Sequence, residues 1–307
     1  MKIFVIVIIY NGMRNDWIQK CFSSIIASNT SVEIIAVDNN SSDESVQFIK
    51  NNFPKTILVE SNVNLGFGGA NNLGLKYALK QGGEYFLLLN QDARVQKNTI
   101  ENLVNISIQN TEYGVISPIH LNGDGSALDF NFSNYISPNK CKNLYSDFAL
   151  RKVENKLYES NFICAAAWLV TKDCLEKVGG FNPSFFHYAE DDNYIHRLKF
   201  KGLKIGVYPD SFIYHDREQR DNSKHFNKEV IRERDLLLQF SNPNSSIDFR
   251  QKIKIINNKI IKNTLLLNPK EINRLKTEKK TLTKIYNSTF NNLKLSKEDK
   301  KYIFIND

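Results

Sequence analysis

The feature that most constrains the fold is an alternation of apolar runs with helical patterns over the first 110 residues. Four short runs are rich in β-branched and aromatic residues, as buried strands are: 3–9 (IFVIVII), 33–37 (EIIAV), 56–59 (TILV) and 85–89 (YFLLL). A helical pattern follows each run, at about 16–28, 43–52, 69–82 and 97–109. Since strand–helix–strand units join parallel strands by right-handed crossovers, this order predicts an α/β fold with a mostly parallel sheet flanked by helices.

The first apolar run does not indicate a membrane span or a signal peptide. It stops at Asn11, well short of the roughly 20 residues that a membrane helix needs, and no small-residue cleavage site follows it. The cysteines lack the spacing of a metal site; they are Cys21, Cys141, Cys164 and Cys174. Together these features predict reduced thiols in a cytoplasmic protein.

Positive charge is concentrated near the C-terminal end of the chain. Residues 250–301 hold 15 Lys or Arg against 4 Asp or Glu, whereas the remainder holds 26 against 29. Within that segment Ile253, Ile256, Ile260 and Leu267 recur at helical spacing beside lysines. The pattern predicts a helix that lies on an anionic membrane, packs on the main domain or joins a second copy; a packed helix with a solvated charged face is the simpler alternative. Nucleic acid is not an expected partner, because the segment lacks interleaved aromatic residues.

Polar or glycine-rich residues follow all four predicted strands where each apolar run stops. The segments are YNG at 10–12, VDNNSSD at 37–43, NVNLGFGGANN at 62–72 and NQD at 90–92. Any one of them reads as an ordinary turn, but ligands of parallel sheets bind at the carboxyl ends of the strands, so four such loops predict a shared site. Asp38 is suited to accept hydrogen bonds from a base or a ribose hydroxyl. The candidate ligand-binding residues of these loops are Tyr10, Asn11, Asp38, Asn40, Asn64, Gly66, Phe67, Asn72, Asn90, Gln91 and Asp92.

The glycines of the third loop disfavour two common nucleotide-binding classes. Gly66, Gly68 and Gly69 would let the backbone approach a ligand before a helix that begins near Ala70. A dinucleotide fingerprint needs a third glycine at position 71, where this chain has asparagine, and it follows the first strand rather than the third. The sequence also has no GKS or GKT of a P-loop.

The motifs VIIYNG, VDNNSSD, NLGFGGANNLGL, LLLNQD and GGFNPSFFHYAEDDNYIHRLKFKG occur in this order over about residues 1–216. This ordered set resembles the family 2 glycosyltransferases, and most of all the bacterial rhamnosyltransferase-like enzymes of surface-polysaccharide synthesis. The resemblance implies a Rossmann-like GT-A fold, a nucleotide-sugar donor, a divalent metal and an inverting transfer.

The resemblance assigns metal binding to the NQD segment. In such enzymes the strand ends in a DXD-type motif whose carboxylate holds Mg²⁺ or Mn²⁺ against the donor pyrophosphate. Asp92 is then the predicted metal ligand. Asn90 replaces the first acid and is expected to contact the ribose or a metal-bound water, with weaker metal binding as the result. His215 matches the histidine that completes metal or pyrophosphate binding in many relatives, and a structural role is its alternative.

The resemblance assigns catalysis to the acidic cluster that follows FFHYA. Asp191 would take the proton from the acceptor hydroxyl, and Glu190 would orient the acceptor or the base. Asp192 is placed on the acceptor side, and Asn193 stands where relatives often have another acid. The three acids also suit an ordinary helix N-terminus. Trp168 is predicted either to stack on a sugar ring or to lie in the core.

The predicted organisation is a GT-A catalytic domain at 1–220 followed by a basic helical extension at 221–307. Within the catalytic domain, 1–110 form the nucleotide-binding half and 111–220 the acceptor half. The expected reaction moves one sugar, rhamnose or another hexose, from a dTDP- or UDP-sugar. The acceptor is a glycan or lipid-linked glycan at the inner membrane face, as in capsule or O-antigen synthesis.

Two other classes remain open on the sequence. A sugar nucleotidyltransferase would carry a glycine-rich, arginine-containing loop after the first strand, and YNGMRND offers one glycine. A non-catalytic nucleotide-sugar-binding protein is favoured by Asn90 and opposed by the pair Glu190 and Asp191.

Overall fold

The computed structural model describes residues 1–217 and 227–305, and the chain divides into two compact units. The first unit contains Met1–Arg220 and Asp299–Asp307, and the second contains Asp221–Glu298. The predicted boundary at 220–221 lies outside the described residues. Residues 299–305, predicted as part of the extension, belong to the first unit.

Nine strands of the described residues form one sheet. They are β1 (Ile3–Ile9), β2 (Glu33–Asp38), β3 (Ile57–Glu60), β4 (Tyr85–Asn90), β5 (Ala93–Val95), β6 (Tyr113–Asn122), β7 (Tyr158–Ser160), β8 (Ala167–Thr171) and β9 (Lys204–His215). Their order is β3–β2–β1–β4–β8–β6–β9–β5, with β7 paired to β9. The first four strands in this order are parallel, whereas β8 runs antiparallel to both of its neighbours. The predicted α/β class with flanking helices is confirmed.

Eleven α-helices lie in the described residues. They are α1 (Trp17–Ile26), α2 (Ser45–Asn52), α3 (Gly66–Lys80), α4 (Thr99–Gln109), α5 (Phe130–Tyr135), α6 (Leu144–Ala149), α7 (Lys172–Val178), α8 (Glu190–Phe200), α9 (Lys228–Ser241), α10 (Phe249–Leu265) and α11 (Pro269–Lys297). None of them is long and apolar enough to cross a bilayer.

Strand β1 shows why a continuous apolar run folds as a central strand. Phe4 and Ile6 join a core that also holds residues of α3, α7 and α8, whereas Val5 and Val7 join a second core with residues of α1, α2 and α4. Each fully buried side chain of this kind contributes about 1.5–3 kcal/mol. Because helices cover both faces of the sheet, both sets of alternate side chains are buried.

Helix α3 begins four residues earlier than predicted, at Gly66. Gly66 has φ of +71°, and a Cβ built on it would lie 1.9 Å from the carbonyl oxygen of Phe186. A Cβ on Gly68 would lie 2.8 Å from Phe181. These two glycines were expected to admit a ligand; in the structure they admit the chain's own loop at 181–186.

The second unit is built from α9, α10 and α11. Ile256 of α10 is 5% exposed and shares a core with Phe240, Leu275 and Leu282, while Ile253 and Ile260 pack against the same core. The apolar stripe of α10 therefore faces its own helical unit. The simpler alternative, a packed helix with a solvated charged face, is correct for Ile253, Ile256 and Ile260, which are therefore not available to a membrane. Leu267, the fourth residue of the predicted pattern, lies beyond the end of α10 and is 87% exposed.

The segment 299–305 packs on the first unit beside α7 and α8. Ile303 and Ile305 are 1% and 2% exposed, and the backbone N–H of Gly180 donates to the carbonyl of Ile303 at 2.8 Å. The hydroxyl of Tyr302 donates to Glu176 at 2.6 Å. These residues complete the core of the first unit from a position that follows the whole second unit in sequence.

Candidate active site

The loops after β1 and β2 are bonded to each other. The N–H of Asn11 donates to Oγ of Ser41 at 3.0 Å, and Oδ1 of Asn11 accepts from the N–H of Ser42 at 2.8 Å. The N–H of Gly12 donates to Oγ of Ser45 at 2.8 Å. The carboxyl ends of these strands therefore form one rim, and the side chain of Asn11 is engaged within it.

Gln91 holds the ends of β1 and β4 together. Its Oε1 accepts from the N–H of Tyr10, and its Nε2 donates to the carbonyl of Tyr10, both at 3.0 Å. Tyr10 is 48% exposed. Gln91 thus supports the rim with both of its amide atoms, while Tyr10 presents an aromatic surface to solvent.

Asn39, which the sequence reading passed over, joins the second loop to the third. Its Nδ2 donates to Oδ1 of Asn64 at 3.1 Å, and its Oδ1 accepts from the N–H of Leu65 at 2.7 Å. The neighbouring candidate Asn40 is exposed with φ of +66°. The carboxylate of Asp38 is 4% exposed and accepts from the N–H of Ser41 in its own turn.

Two further candidates in α3 contact the loop at 181–186. Oδ1 of Asn72 accepts from the N–H of Phe181 at 2.7 Å, and Nδ2 donates to its carbonyl at 2.8 Å. The ring of Phe67 packs edge-on against the ring of Phe181, with centroids 5.8 Å apart. In the structure these contacts brace α3 against the segment that leads into α8.

Trp168 lies in the core. Its side chain is 0% exposed, and its indole stacks on Phe181 with ring centroids 6.1 Å apart. Tyr194 packs against it at 5.5 Å. Because no face of the ring is open, the core alternative is correct and the sugar-stacking role predicted for Trp168 is wrong.

Asp92 and His215 are adjacent at the carboxyl edge of the sheet. The pairing of β5 with β9 places Ala93 opposite His215, and Nε2 of His215 lies 3.4 Å from Oδ1 of Asp92. On its other side, Nδ1 of His215 lies 3.6 Å from Oδ2 of Asp129. The imidazole is 3% exposed and therefore held between two carboxylates.

Asp129 and Arg217 extend this cluster, and the sequence reading missed both. Nε of Arg217 donates to Oδ2 of Asp129 at 2.6 Å, and Oδ1 of Asp129 accepts from the N–H of Phe132 as the N-cap of α5. Arg217 lies two residues after the candidate ligand His215, which is a local signal. Asp129 offers none, because only the tertiary fold brings residue 129 beside residue 215.

A cavity of about 110 Å³ adjoins Asp92. Across it, Nε1 of Trp17 donates to Oδ2 of Asp216 at 3.0 Å, and the N–H of Asp216 donates to the carbonyl of Asp92 at 2.9 Å. The lining residues are Trp17, Lys20, Asp92, Ala93, Arg94, Gly123, Tyr214 and Asp216.

Asp191 lies in the first turn of α8. Burial and the adjacent Asp192 carboxylate raise the pKa of Asp191 to about 7, although hydrogen bonds from the N–H groups of Asp192 and Ala165 oppose the rise. Glu190 is 5% exposed. A carboxyl group with this pKa can accept a proton at neutral pH more readily than an ordinary aspartate.

The two alanines before β8 connect Asp191 to the end of β4. The N–H of Ala165 bonds to Asp191, and the carbonyl of Ala166 accepts from the N–H of Asn90 at 2.9 Å. The charges on Arg217, Asp191 and Asp129 all act on the thiol of Cys164, whose pKa burial raises to about 12. The acidic cluster of α8 and the cluster around His215 therefore share one neighbourhood.

Asn193 has a structural position. It is 0% exposed, and its Oδ1 accepts from Nε of Arg197 at 3.1 Å. Arg197 is 1% exposed and also donates to the carbonyls of Val178 and Gly180, and burial lowers its pKa to about 10. Because residue 193 is an amide, the acceptors in these three hydrogen bonds of Arg197 are all neutral: one amide oxygen and two backbone carbonyls.

The donor set around His215 is sparse for a metal ion bound by protein alone. Within residues 1–217 and 227–305, no three His, Cys, Asp or Glu side chains are grouped closely enough to hold one. Asp92 and His215 supply one carboxylate and one imidazole, a set that Mn²⁺ accepts when a ligand and water fill the other positions. The residues present therefore fit a metal that is shared with a bound diphosphate.

The chain is similar to known glycosyltransferases. Residues 4–179 match the glycosyl transferase family 2. The chain is 29% identical over 205 residues to the low-salt glycan biosynthesis hexosyltransferase Agl10 of Haloferax volcanii, covering 65% of this chain and 63% of that protein. It is 21% identical over 222 residues to the N-acetylglucosaminyl-diphospho-decaprenol L-rhamnosyltransferase of Mycobacterium tuberculosis, covering 65% and 72%. The match thus spans less than two thirds of the Haloferax protein.

Solved structures with the same fold include the following three. GalNAc-T7 with UDP, GalNAc and Mn²⁺ has a TM-score of 0.60 at 14% identity, covering 77% of this chain and 48% of that one. S. aureus TarS 1–349 with UDP has a TM-score of 0.55 at 18% identity, covering 83% and 69%. The Pyrobaculum calidifontis mannosyltransferase PcManGT with GDP-Man and Mn²⁺ has a TM-score of 0.54 at 20% identity, covering 82% and 64%. The predicted GT-A fold is confirmed.

Proposed function

Because the chain belongs to glycosyl transferase family 2, we propose that it is an inverting glycosyltransferase that moves one sugar from a nucleoside-diphosphate sugar to a glycan acceptor. The observation that carries the proposal is the position of the Asp191 carboxylate, in the first turn of α8 and beside the same thiol, Cys164, as Asp129 of the His215 cluster. Its raised pKa, about 7, supports the proposal. The carboxylate of Asp191 takes the proton from the acceptor hydroxyl. Glu190 orients the acceptor or the base.

The donor is held at the rim formed by the loops after β1, β2, β3 and β4. Tyr10, which is 48% exposed, contacts the base, and Asn90 contacts the ribose or a metal-bound water. Asp92 and His215 would hold Mn²⁺ or Mg²⁺ together with the donor pyrophosphate. When bound, the ion offsets the negative charge that develops on the departing diphosphate. Support comes from the Mn²⁺ in two of the neighbouring structures.

The substrate is a dTDP-, UDP- or GDP-activated sugar, and the acceptor is a lipid-linked glycan in surface-polysaccharide synthesis, such as capsule or O-antigen. One relative is named for rhamnosyl transfer to a diphospho-decaprenol acceptor, and the other for hexosyl transfer in glycan biosynthesis. Such an acceptor places the enzyme at the cytoplasmic face of a membrane. Contact of the basic second unit with that surface fits this placement, and a homodimer through the second unit is the competing use of it.

The test is a thermal-shift screen of nucleotide sugars with and without Mn²⁺, followed by transfer assays with the donor that stabilises the chain. A specific ligand raises the free energy of unfolding by RT ln(1 + [L]/Kd), so the preferred donor stands out. Asp191→Asn should then lose transfer by about 10²-fold or more while retaining donor binding. Asp173→Asn, which changes an exposed carboxylate in the first turn of α7, is the matched control.

A non-catalytic nucleotide-sugar-binding protein would give a different result. It would bind a donor in the same screen and show no transfer that depends on Asp191. Absence of any donor-induced stabilisation would overturn the proposal itself.

A further inference from the structure

Three consecutive leucines are exposed where α10 turns into α11. Leu265, Leu266 and Leu267 are 80%, 63% and 87% exposed, and Ile261, one turn earlier, is 60% exposed. Burying a leucine side chain is worth about 1.5–3 kcal/mol. A cluster of such residues on one surface usually marks an interaction site.

The backbone fixes these leucines at the tip of a helical hairpin. α10 ends at Leu265, Leu267 has φ of +50°, and α11 begins at Pro269 after Asn268, whose side chain caps it. Nζ of Lys279 donates to Oδ1 of Asn257 at 2.9 Å, which pairs the two helices two to three turns below the tip. The three leucines are not part of the core of the second unit, to which α10 contributes Ile253, Ile256 and Ile260.

The charges around the tip are predominantly positive. The carboxylates of Glu271 and Glu278 both bond to Arg274, at 2.6 and 3.1 Å. Four lysines within three turns of the leucines are exposed: Lys259, Lys262, Lys270 and Lys276. Apolar residues flanked by ammonium groups complement a surface whose interior is hydrocarbon and whose headgroups are anionic.

We propose that Leu265, Leu266 and Leu267 insert at the boundary between the headgroups and the acyl chains of an anionic lipid bilayer while the surrounding lysines bind its phosphates. The inference deepens the proposed membrane contact. The inserting element is the hairpin tip and not the apolar stripe of α10, which is buried in its own unit. It does not depend on the transferase activity. Three leucines and a few lysines give reversible, salt-sensitive attachment.

A second copy of the chain is the other occupant that an apolar tip could have. The exposed lysines argue against it, because pairing two tips would bring their ammonium groups together. A bilayer with anionic headgroups can contact the leucines with its acyl chains and the lysines with its phosphates at the same time. The charge pattern therefore favours lipid over self-association.

The test is flotation of the full chain with vesicles of phosphatidylcholine containing about 30% phosphatidylglycerol, which supplies the negative surface potential. The wild-type chain should float at low salt and release at high salt. The triple variant Leu265→Ser, Leu266→Ser, Leu267→Ser should bind at least about tenfold more weakly. In the double variant Lys262→Glu, Lys270→Glu, affinity for the anionic vesicles should fall more than about fivefold for each lysine replaced. Its binding to vesicles of pure phosphatidylcholine should not change.

Insertion is measured separately with a fluorescent reporter. Leu266→Trp should be quenched by phospholipids brominated on their acyl chains. Ile108→Trp, at an exposed apolar position on α4 of the first unit, should not be quenched. Ile108→Ser serves as the matched control for the leucine variant in flotation.

Several outcomes would overturn the inference. One is equal vesicle binding by the wild-type chain and the triple variant, and another is absence of any binding to anionic vesicles at low salt. A wild-type dimer that the triple variant converts to monomer, with vesicle binding unchanged, would assign the tip to self-association. Failure of the triple variant to fold would show that the leucines are buried in solution. Donor-induced thermal stabilisation of the same samples reports on the transferase site independently.

Discussion

The side chain of Asn72 bonds both backbone groups of Phe181, as a neighbouring strand would: it accepts from the N–H and donates to the carbonyl. The two residues are 109 positions apart in sequence. These two hydrogen bonds tie the first half of the sheet, through α3, to the segment that leads into α8. Because Asp191 stands at the start of α8, the position of the proposed base depends on an amide that the sequence suggested as a ligand contact.

Asn72→Ala should lower the free energy of unfolding by about 1–3 kcal/mol, since it leaves both backbone groups of Phe181 without their partner. Urea unfolding followed by circular dichroism measures the loss. The Kd of the donor should change less than kcat does, because the bonds serve α8. A variant as stable as the wild type but unable to bind donor would instead mean that Asn72 contacts the nucleotide.

The raised pKa of Asp191 predicts the pH dependence of transfer. A general base must be deprotonated, so kcat/KM should fall about tenfold per pH unit below pH 7 and level off above it. Stability should respond in the opposite sense. The folded-state pKa lies above the unfolded value of about 3.9, so the stabilisation that Asp191 contributes is fully present below about pH 4 and is lost as the pH rises through 7.

Asp191→Asn, which cannot ionise, checks both effects at once. The stability of this variant minus that of the wild type should be larger at pH 8 than at pH 4. Its transfer rate should stay low at both pH values. A pH–rate profile whose acidic limb lies near pH 4 would remove Asp191 from the role of base.

Metal dependence should involve Asp92 and His215 together. His215→Ala should raise the Mn²⁺ concentration for half-maximal activity by about tenfold or more, because it removes one of the two side chains proposed to hold the ion. Asp210→Asn, an exposed carboxylate on the same strand, is the control. Activity of the wild type that persists in excess chelator would contradict the prediction.

The contact of Phe304 with Arg197 should contribute to the free energy of unfolding of the first unit. Phe304 is 6% exposed, and the guanidinium of Arg197 lies 5.1 Å from its ring centroid. Phe304→Ala should cost about 3 kcal/mol through the cavity and the lost cation–π contact. Tyr302→Phe, which removes only the hydrogen bond to Glu176, should cost about 1 kcal/mol. Thermal unfolding of both variants distinguishes these values.

The sheet was predictable because its central strands are buried on both faces and so read as unbroken apolar runs. Ile3–Ile9 and Tyr85–Asn90 differ from the predicted bounds by at most one residue. The carboxyl-edge loops were predictable for the same reason, since each begins where an apolar run stops.

The contacts among side chains at the site were not predictable. Asp129 reaches His215 only because β6 and β9 pair, a relation between segments about 90 residues apart. Trp168 could have faced either a sugar or the core, and periodicity does not choose between them. The glycines at 66 and 68 signalled a close approach but not its partner, which is the chain's own loop.

The return of residues 299–305 to the first unit has a consequence for synthesis. These residues leave the ribosome only after the 78 residues of 221–298 have been made, a delay of about 4–16 s at typical elongation rates. Until then the groove beside Gly179 and Arg197 lacks Ile303, Phe304 and Ile305. A nascent chain therefore exposes an apolar surface next to its future catalytic helix, and that interval is when a chaperone would protect it most.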